Sequence, residues 1–180
     1  MKGPGPVTRG VQCFILLAIL LPGYGCQALR APAGEPQSLT PERAVRINSG
    51  VRAFMRDVAY DISKNGPAAW QKHFVEGPEF FMAANGNWVF QSGATAATGV
   101  QDLAGSIKEI TLEWGGDLRV DPLAHDLAIV ASPYHETRVD DAGVRLEETG
   151  FFTGVAQYGD GRWKFRDAHW SVPVPPKAAP

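Results

Sequence analysis

Apolar residues recur at helical spacing early in the patterned part of the sequence. Thr40, Pro41 and Glu42 supply an N-cap, a proline at the first helical position and an acid in the first turn. Asn65-Gly66-Pro67 ends this helix and begins a second, short one over 67–74. The predicted long helix over 41–65 therefore has one buried stripe, formed by Ile47, Val51, Phe54, Met55, Val58 and Ile62.

The pattern then changes mainly to that of strands. Asn85-Gly86 lies between two apolar runs and predicts a hairpin within 79–91. A small amphipathic helix is predicted over 99–110, and a strand over 111–120 is predicted to bulge or bend at Gly115-Gly116. Turn-forming residues separate three further antiparallel strands, predicted over 127–139, 144–158 and 162–174.

This order of elements predicts the fold class. Helices come first, and an antiparallel meander with one inserted helix follows, which is typical of an α+β domain. The helices are expected to cover one face of a curved sheet. The space between the sheet and the helices is then the natural place for a ligand.

Alternation along the last strand mixes aromatic and polar groups. One face carries Trp163, Phe165, Asp167, His169 and Ser171. The other face carries Lys164, Arg166, Ala168, Trp170 and Val172. We expect the first face to line the pocket, and the apolar residues Ala168, Trp170 and Val172 to face a partner subunit.

Composition narrows the classes of function. The chain has 180 residues, 44% of them hydrophobic, and a formal net charge of −2, so a single well-cored domain is expected. The sequence has no basic stripe of the kind that binds nucleic acid, so we do not expect a nucleic-acid partner. The four histidines lack metal-ligand spacing, and the sequence has neither a phosphate-binding glycine loop nor a Gly-x-Ser-x-Gly nucleophile motif, so we expect no metal and no cofactor.

The first 25 residues resemble an export signal, with a basic start, an apolar run over 11–21 and a small-residue exit. The apolar run is shorter than the roughly 20 residues that span a bilayer. A flexible tether over 26–40 and a disordered tail over 175–180 are predicted to flank the domain over 41–174. Cys26 either carries a lipid anchor or is a free thiol near an ordinary cleavage site. Such an anchor is the only contact with a membrane that we expect for the protein. The protein is accordingly expected in the periplasm, secreted or lipid-anchored to the cell envelope.

Several segments resemble the SnoaL-like branch of the nuclear transport factor 2-like superfamily. They are Gly66-Pro-Ala-Ala-Trp70, Phe80-Phe81-Met82-Ala83, Leu127-Ala-Ile-Val130, Tyr134-His-Glu136, Gly150-Phe-Phe-Thr-Gly154 and Trp163-Lys-Phe-Arg-Asp-Ala-His-Trp-Ser171. The resemblance implies a conical fold with cystatin-like topology, in which N-terminal helices pack on a strongly curved mixed or antiparallel sheet. It also implies a pocket and homodimers formed through the outer sheet face. It implies no single activity.

Three polar residues are candidates for chemistry in that pocket. Tyr134 and Glu136 share one strand face, and His169 would join them from the last strand as an acid–base partner of Glu136, with Tyr134 donating to a developing oxyanion. Alternatively, His169 bonds Ser171 or the backbone, and Glu136 pairs with an arginine at the sheet surface. The expected pocket-lining residues are Trp70, Phe80, Phe81, Trp114, Phe152, Trp163, Phe165 and Ser171.

Three hypotheses for function follow. The first is an exported, homodimeric SnoaL-like domain with a largely apolar pocket for a small apolar molecule. The second is a cofactor-free isomerase, dehydratase or cyclase that uses Tyr134, Glu136 and His169. The third is a homo-oligomeric assembly module whose interior is filled by its own aromatic side chains.

Overall fold

A computed structural model describes residues 39–173. The predicted export signal, Cys26, most of the tether and the tail lie outside the described residues. Within residues 39–173, no helix combines the length and the apolar character needed to cross a membrane.

The long helix α1 (Pro41–Asn65) begins and ends where the sequence predicts. The Thr40 hydroxyl accepts a hydrogen bond from the Arg43 backbone N–H at 3.3 Å, and the Gly66 N–H donates to the Ile62 carbonyl at 3.0 Å. Gly66 has a φ of 77°, a value that favours glycine. The six buried residues of α1 are those of the predicted stripe. The following short helix is a 3₁₀ helix, Pro67–His73.

Seven strands form one mixed sheet. They are β1 (Phe81–Ala84), β2 (Asn87–Phe90), β3 (Ile107–Trp114), β4 (Arg119–Ala124), β5 (Leu127–Asp140), β6 (Arg145–Gly159) and β7 (Arg162–Ser171). The order across the sheet is β2-β1-β7-β6-β5-β3, with β4 also pairing with β5. Only the β1–β7 pair among these strands is parallel. Contacts between α1 and β3, β4 and β7 place this helix against the sheet.

Strands β3 and β4 are two parts of one edge. β3 pairs with residues 134–140 of β5 and β4 pairs with residues 127–131, both antiparallel. Strands β3 and β4 therefore follow each other in the same direction along β5, with a break between Trp114 and Arg119. The Gly115 N–H still donates to the Pro133 carbonyl at 2.8 Å across that break. The interruption predicted at Gly115-Gly116 is confirmed.

The second α-helix lies earlier in the chain than predicted. α2 spans Gly93–Ala104, whereas the apolar spacing had predicted a helix over 99–110. Ser92 and Thr95 form a capping box that fixes the start: the Ser92 hydroxyl accepts from the Thr95 N–H at 3.2 Å, and the Thr95 hydroxyl accepts from the Ser92 N–H at 3.0 Å. Ile107 and Ile110 belong to β3 instead, where β-branched side chains fit a half-buried strand.

A β-bulge in β7 reverses the predicted faces of its second half. Val155 pairs with Asp167 while its neighbour Ala156 pairs with Phe165, so Arg166 is an extra residue in the ladder. Before the bulge Phe165 points inward, on the predicted side, but it is fully buried in the core and does not line the cavity. After it, Ala168 is buried, Trp170 is half-buried and His169 is exposed. The prediction that His169 shares the face of Phe165, with Ala168 and Trp170 facing outward, is wrong because alternation was assumed to run unbroken.

Candidate functional site

A cavity of about 600 Å³ lies between the sheet, the 3₁₀ helix and α2. Its walls are mainly apolar because each bordering element turns apolar side chains inward. The apolar lining residues include Trp70 of the 3₁₀ helix and Phe74 directly after it, Met82, Val89 and Phe90 from the β1–β2 hairpin, Val100 and Leu103 from α2, and Trp170 from β7.

Polar groups gather at one end of this cavity. Tyr134, Glu136 and Arg138 occupy alternate positions of β5 and so point to the same face. Glu148 of β6 lines the same region and is directly opposite Glu136 in the β5–β6 ladder. Two like charges in such a cross-strand pair repel each other, so the arrangement needs a compensating group.

Arg138 supplies that compensation. Its Nη2 lies 3.5 Å from Oε2 of Glu148, and its Nε lies 3.1 Å from Oε1 of Glu136. Arg138 Nε makes no hydrogen bond to the described residues, so its contact with Glu136 is an ion pair alone. Among the buried side-chain nitrogen and oxygen atoms of the described residues, Arg138 Nε is the one without a hydrogen-bond partner.

Tyr134 is fixed by Glu148. Its hydroxyl donates a hydrogen bond of 2.6 Å to Glu148 Oε1. Burial, together with this bond and the negative charges of Glu148 and Glu136, raises the pKa of Tyr134 well above its ordinary value. The tyrosine therefore stays protonated at neutral pH, and its proton is committed to Glu148. Its oxygen can still accept a hydrogen bond from a molecule in the cavity.

Glu136 has the carboxyl group at the polar end that receives no hydrogen bond from the described residues. Its side chain is only 13% exposed, and it makes no hydrogen bond to any other residue within 39–173. Burial raises the pKa of Glu136, Arg138 opposes this shift, and the charge of Glu148 adds to it. The carboxyl group is thus a hydrogen-bonding group still open to a partner.

Gly150 makes room for Tyr134. The two residues are opposite each other in the β5–β6 ladder. A Cβ atom at Gly150 would lie 2.7 Å from Cε1 of Tyr134, 2.8 Å from its hydroxyl oxygen and 2.1 Å from the backbone oxygen of Ser171. A side chain at this position would displace either the tyrosine or strand β7.

Trp170 joins the cavity wall to the core. Its ring centroid lies 4.7 Å from those of Tyr134 and Phe152, and 5.7 Å from those of Trp70 and Trp114. The contact with Tyr134 is edge-to-face, a favourable geometry for aromatic pairs. Trp170 therefore positions the apolar wall next to the polar end.

The structure brings three of the predicted site residues to the cavity: Tyr134, Glu136 and Trp70. Glu136 pairs with an arginine, as the alternative interpretation expected, but does so at the cavity. His169 is exposed and does not line the cavity, so the structure does not form the predicted pair of Glu136 and His169.

The remaining predicted lining residues have other positions. Phe80, Phe152 and Phe165 are fully buried in the core. Trp114 packs on Trp170, and its indole N–H donates to the Met55 carbonyl at 2.8 Å. Three others do not line the cavity: Phe81 contacts Trp88, Trp163 contacts Tyr158, and Ser171 donates from its hydroxyl to the Phe151 carbonyl at 3.2 Å.

Sequence reasoning missed Arg138, Glu148 and Trp170. Arg138 continues the alternation of Tyr134 and Glu136, and this periodicity could have identified it. Glu148 required the β5–β6 register, and Trp170 required the β7 bulge, neither of which the sequence alone reveals. Across the described residues, no group of three or more His, Cys, Asp or Glu side chains could hold a metal ion.

A second polar cluster joins α1 to the 3₁₀ helix. Asp61 Oδ2 lies 2.9 Å from His73 Nε2 and 2.7 Å from Lys72 Nζ. His73 is buried, and this burial lowers its pKa despite the opposing effect of Asp61. Hydrogen bonding to Lys72 is the main reason that the pKa of Asp61 is lowered. The imidazole is therefore neutral near pH 7 and acts as a donor to the carboxylate.

Solved structures share this fold at low sequence identity. A nuclear transport factor 2-like superfamily protein from Salmonella enterica serovar Typhimurium aligns with a TM-score of 0.64 and 16% identity, over 75% of this chain and 96% of that one. A candidate scytalone dehydratase from Novosphingobium aromaticivorans gives 0.65 and 14%, over 75% and 89%. A type 2 hexachlorocyclohexane dehydrochlorinase, LinA, gives 0.59 and 11%, over 78% and 98%.

These likenesses establish the fold. The chain has an α+β, nuclear transport factor 2-like fold, and the predicted fold class is confirmed. No protein-family model matches the sequence, and no curated protein sequence matches it.

Proposed function

We propose that this nuclear transport factor 2-like chain is a small-molecule-binding domain of the SnoaL-like type. The observation that carries the proposal is the cavity of about 600 Å³ with apolar walls and one polar end. Ligand sites commonly measure about 300–1,000 Å³ and combine a mostly apolar lining with a few polar groups. Both properties are present here.

The two ends of the cavity have different tasks in this proposal. Aromatic and aliphatic walls favour binding by removing apolar ligand surface from water, about 25 cal/mol for each Å² buried. The polar end orients the ligand because the Glu136 carboxylate has no hydrogen-bond partner among residues 39–173. A ligand with a polar group at one end would satisfy it.

A second candidate function is cofactor-free elimination, and the position of Glu136 favours it. A carboxylate in the cavity can take a proton from a substrate carbon, and a raised pKa makes it a better base. The guanidinium of Arg138, 3.1 Å away, favours the charged form of Glu136, which is the form that accepts a proton. Two of the structural relatives bear names of elimination enzymes, a dehydratase and a dehydrochlorinase. In this version Glu136 acts without His169.

The assembly alternative receives less support. It requires an interior filled by aromatic side chains. Phe80, Phe152 and Phe165 do fill the core, but the cavity beside them is open.

Mass spectrometry of small molecules that co-purify with the full chain tests the proposal. Leu103→Trp should reduce recovery of the bound molecule because the larger ring would occupy the cavity from α2. His169→Ala is the matched control and should recover it at the wild-type level, since His169 is exposed. Equal recovery from wild type and Leu103→Trp would contradict binding in this cavity.

Export and lipid attachment at Cys26 are also proposed, on the sequence of the first 26 residues. Metabolic labelling with a lipid precursor, compared between wild type and Cys26→Ser, distinguishes anchoring from secretion. Label on wild type alone supports the anchor. An unlabelled wild-type protein in the medium or periplasm supports secretion.

A homodimer through the outer sheet face is proposed as well. Ala168 and Trp170 do not support it, since they face inward. Ile129 and Phe151 do, because they occupy the opposite face from Tyr134 and are 40% and 46% exposed. Sedimentation of the full chain at micromolar concentration tests the dimer, and a monomer would contradict it.

A further inference from the structure

The polar end of the cavity carries more acid than base. Glu136 and Glu148 face one guanidinium, that of Arg138, and Asp102 of α2 adds another carboxylate to the cavity lining. Among the described residues that line the cavity there is no lysine, and Arg138 is the only arginine. Since Arg138 already lies beside both glutamates, an anionic ligand would lack a free cationic partner.

The two glutamates differ in what they still need. Glu148 Oε1 accepts a hydrogen bond of 2.6 Å from the Tyr134 hydroxyl, and Glu148 Oε2 lies 3.5 Å from Arg138 Nη2. The Glu136 carboxylate receives no hydrogen bond from residues 39–173, although the side chain is only 13% exposed. Because this half-buried carboxylate is only partly hydrated and receives no hydrogen bond from the described residues, a donor is the property that a ligand would supply.

The wall beside this carboxyl group is aromatic. Trp170 contacts Tyr134 edge-to-face, and Trp70 contacts Trp170 with ring centroids 5.7 Å apart. Indole faces attract cations, and the attraction increases where water is excluded. The cavity therefore combines an acceptor without a donor, excess negative charge and aromatic rings.

We propose that the cavity recognises a small aromatic or polycyclic molecule bearing a protonated amine, with the ammonium group hydrogen-bonded to Glu136. This inference rests on the proposed binding function and specifies the charge of the ligand. An ammonium supplies up to three N–H donors, and its positive charge offsets the excess carboxylate. A neutral hydroxyl could satisfy the hydrogen bond but would leave the charge uncompensated.

Three naphthalene probes test this inference on the full chain at pH 7. They are 1-naphthylmethylamine, which is an ammonium ion at this pH, 1-naphthylmethanol and 1-naphthoate. They share one ring system and differ in the charge of the substituent. Isothermal titration gives each dissociation constant. We expect the ammonium to bind at least about tenfold more tightly than the alcohol, a difference of about 1.4 kcal/mol, and the carboxylate to bind most weakly.

Variants assign the preference to Glu136. Glu136→Gln should reduce the ammonium-to-alcohol ratio to about one by weakening the ammonium complex and leaving the alcohol complex within about twofold. Glu147→Gln is the matched control: this exposed glutamate pairs with Arg145 outside the cavity, and its loss should preserve the wild-type ratio. A wild-type ratio retained in Glu136→Gln would overturn the assignment to Glu136.

The wild-type measurements alone separate this inference from the proposed function. If the alcohol or the carboxylate binds as tightly as the ammonium, the inference about charge is wrong and a binding cavity remains. If none of the three probes binds, both the inference and the binding function are contradicted. The comparison does not depend on whether Glu136→Gln folds.

Discussion

Replacing Gly150 with alanine should destabilise the protein, although alanine is usually the better residue in a folded chain. The new Cβ atom would lie 2.1 Å from the Ser171 backbone oxygen and less than 3 Å from two atoms of Tyr134. The backbone contact is the harder to relieve, because Ser171 belongs to β7, which is paired to β6 along its length. The tyrosine is in turn held by its hydrogen bond to Glu148.

The expected magnitude is the difference between two effects. A glycine-to-alanine change in open space stabilises by about 0.4–1 kcal/mol, because it restricts the unfolded chain. Forcing an extra carbon into a packed site costs about 1–3 kcal/mol. Gly159 lies on the same strand, β6, and a Cβ there would meet nothing within 4 Å. We therefore expect the free energy of unfolding of Gly159→Ala to be slightly higher than that of wild type. The free energy of unfolding of Gly150→Ala should be lower than that of wild type by about 1–2 kcal/mol.

Urea denaturation followed by tryptophan fluorescence measures both variants. With a slope of about 2 kcal/mol per molar urea, the two midpoints should differ by about 1 M. Naphthalene-probe binding should also weaken in Gly150→Ala, since a displaced Tyr134 changes the polar end of the cavity. Equal stability of the two alanine variants would refute the close contact between β6, β7 and Tyr134.

Three further predictions concern single side chains. Tyr134→Phe removes the hydroxyl that donates to Glu148 and should lower the free energy of unfolding by about 1.5–3 kcal/mol in urea denaturation; a loss below about 0.5 kcal/mol would contradict a strong bond. Because burial lowers the pKa of His73 in the folded state, the unfolded chain binds protons more readily as the pH falls below about 6.5. The stability associated with neutral His73 should thus be complete above that pH and decline below it. In urea denaturation measured from pH 7 to pH 5, His73→Gln should lose less stability than wild type. An equal loss of stability in the variant would exclude His73 as the source of the decline. His169→Ala should bind the naphthalene probes within about twofold of wild type, because His169 is exposed, and a tenfold loss would place it in the binding site after all.

Much of the fold could be predicted because its signals are local. The buried stripe of α1, its Thr40 cap and its Gly66 end depend on neighbouring residues only. The Asn85-Gly86 turn is equally local, and both residues have positive φ as a tight hairpin requires. The start of α2 was also encoded locally, in the Ser92–Thr95 capping box, but the apolar spacing of Val100, Leu103 and Ile107 suggested a later helix.

The site could be predicted only in part because it depends on strand register. Tyr134 and Glu136 were identified from alternation within one strand. Glu148 joins them because of its pairing with β5, which is set by contacts far apart in sequence. A bulge changes alternation by one residue, so Trp170 and His169 were assigned to each other's faces.

The extra residue at Arg166 decides which side chains of β7 face the interior. With unbroken alternation, the strand would turn a carboxylate, an imidazole and a hydroxyl inward. With the bulge, it turns a methyl group and an indole inward. The Val155 backbone N–H is bound by the Asp167 carboxylate at 3.1 Å, directly beside the point where the ladder shifts. The Asp167 side chain, which does not line the cavity, thus bonds the backbone at the bulge that turns Trp170 toward the cavity. Loss of the bulge alone would therefore change which side chains of β7 line the cavity, without a substitution at any lining residue.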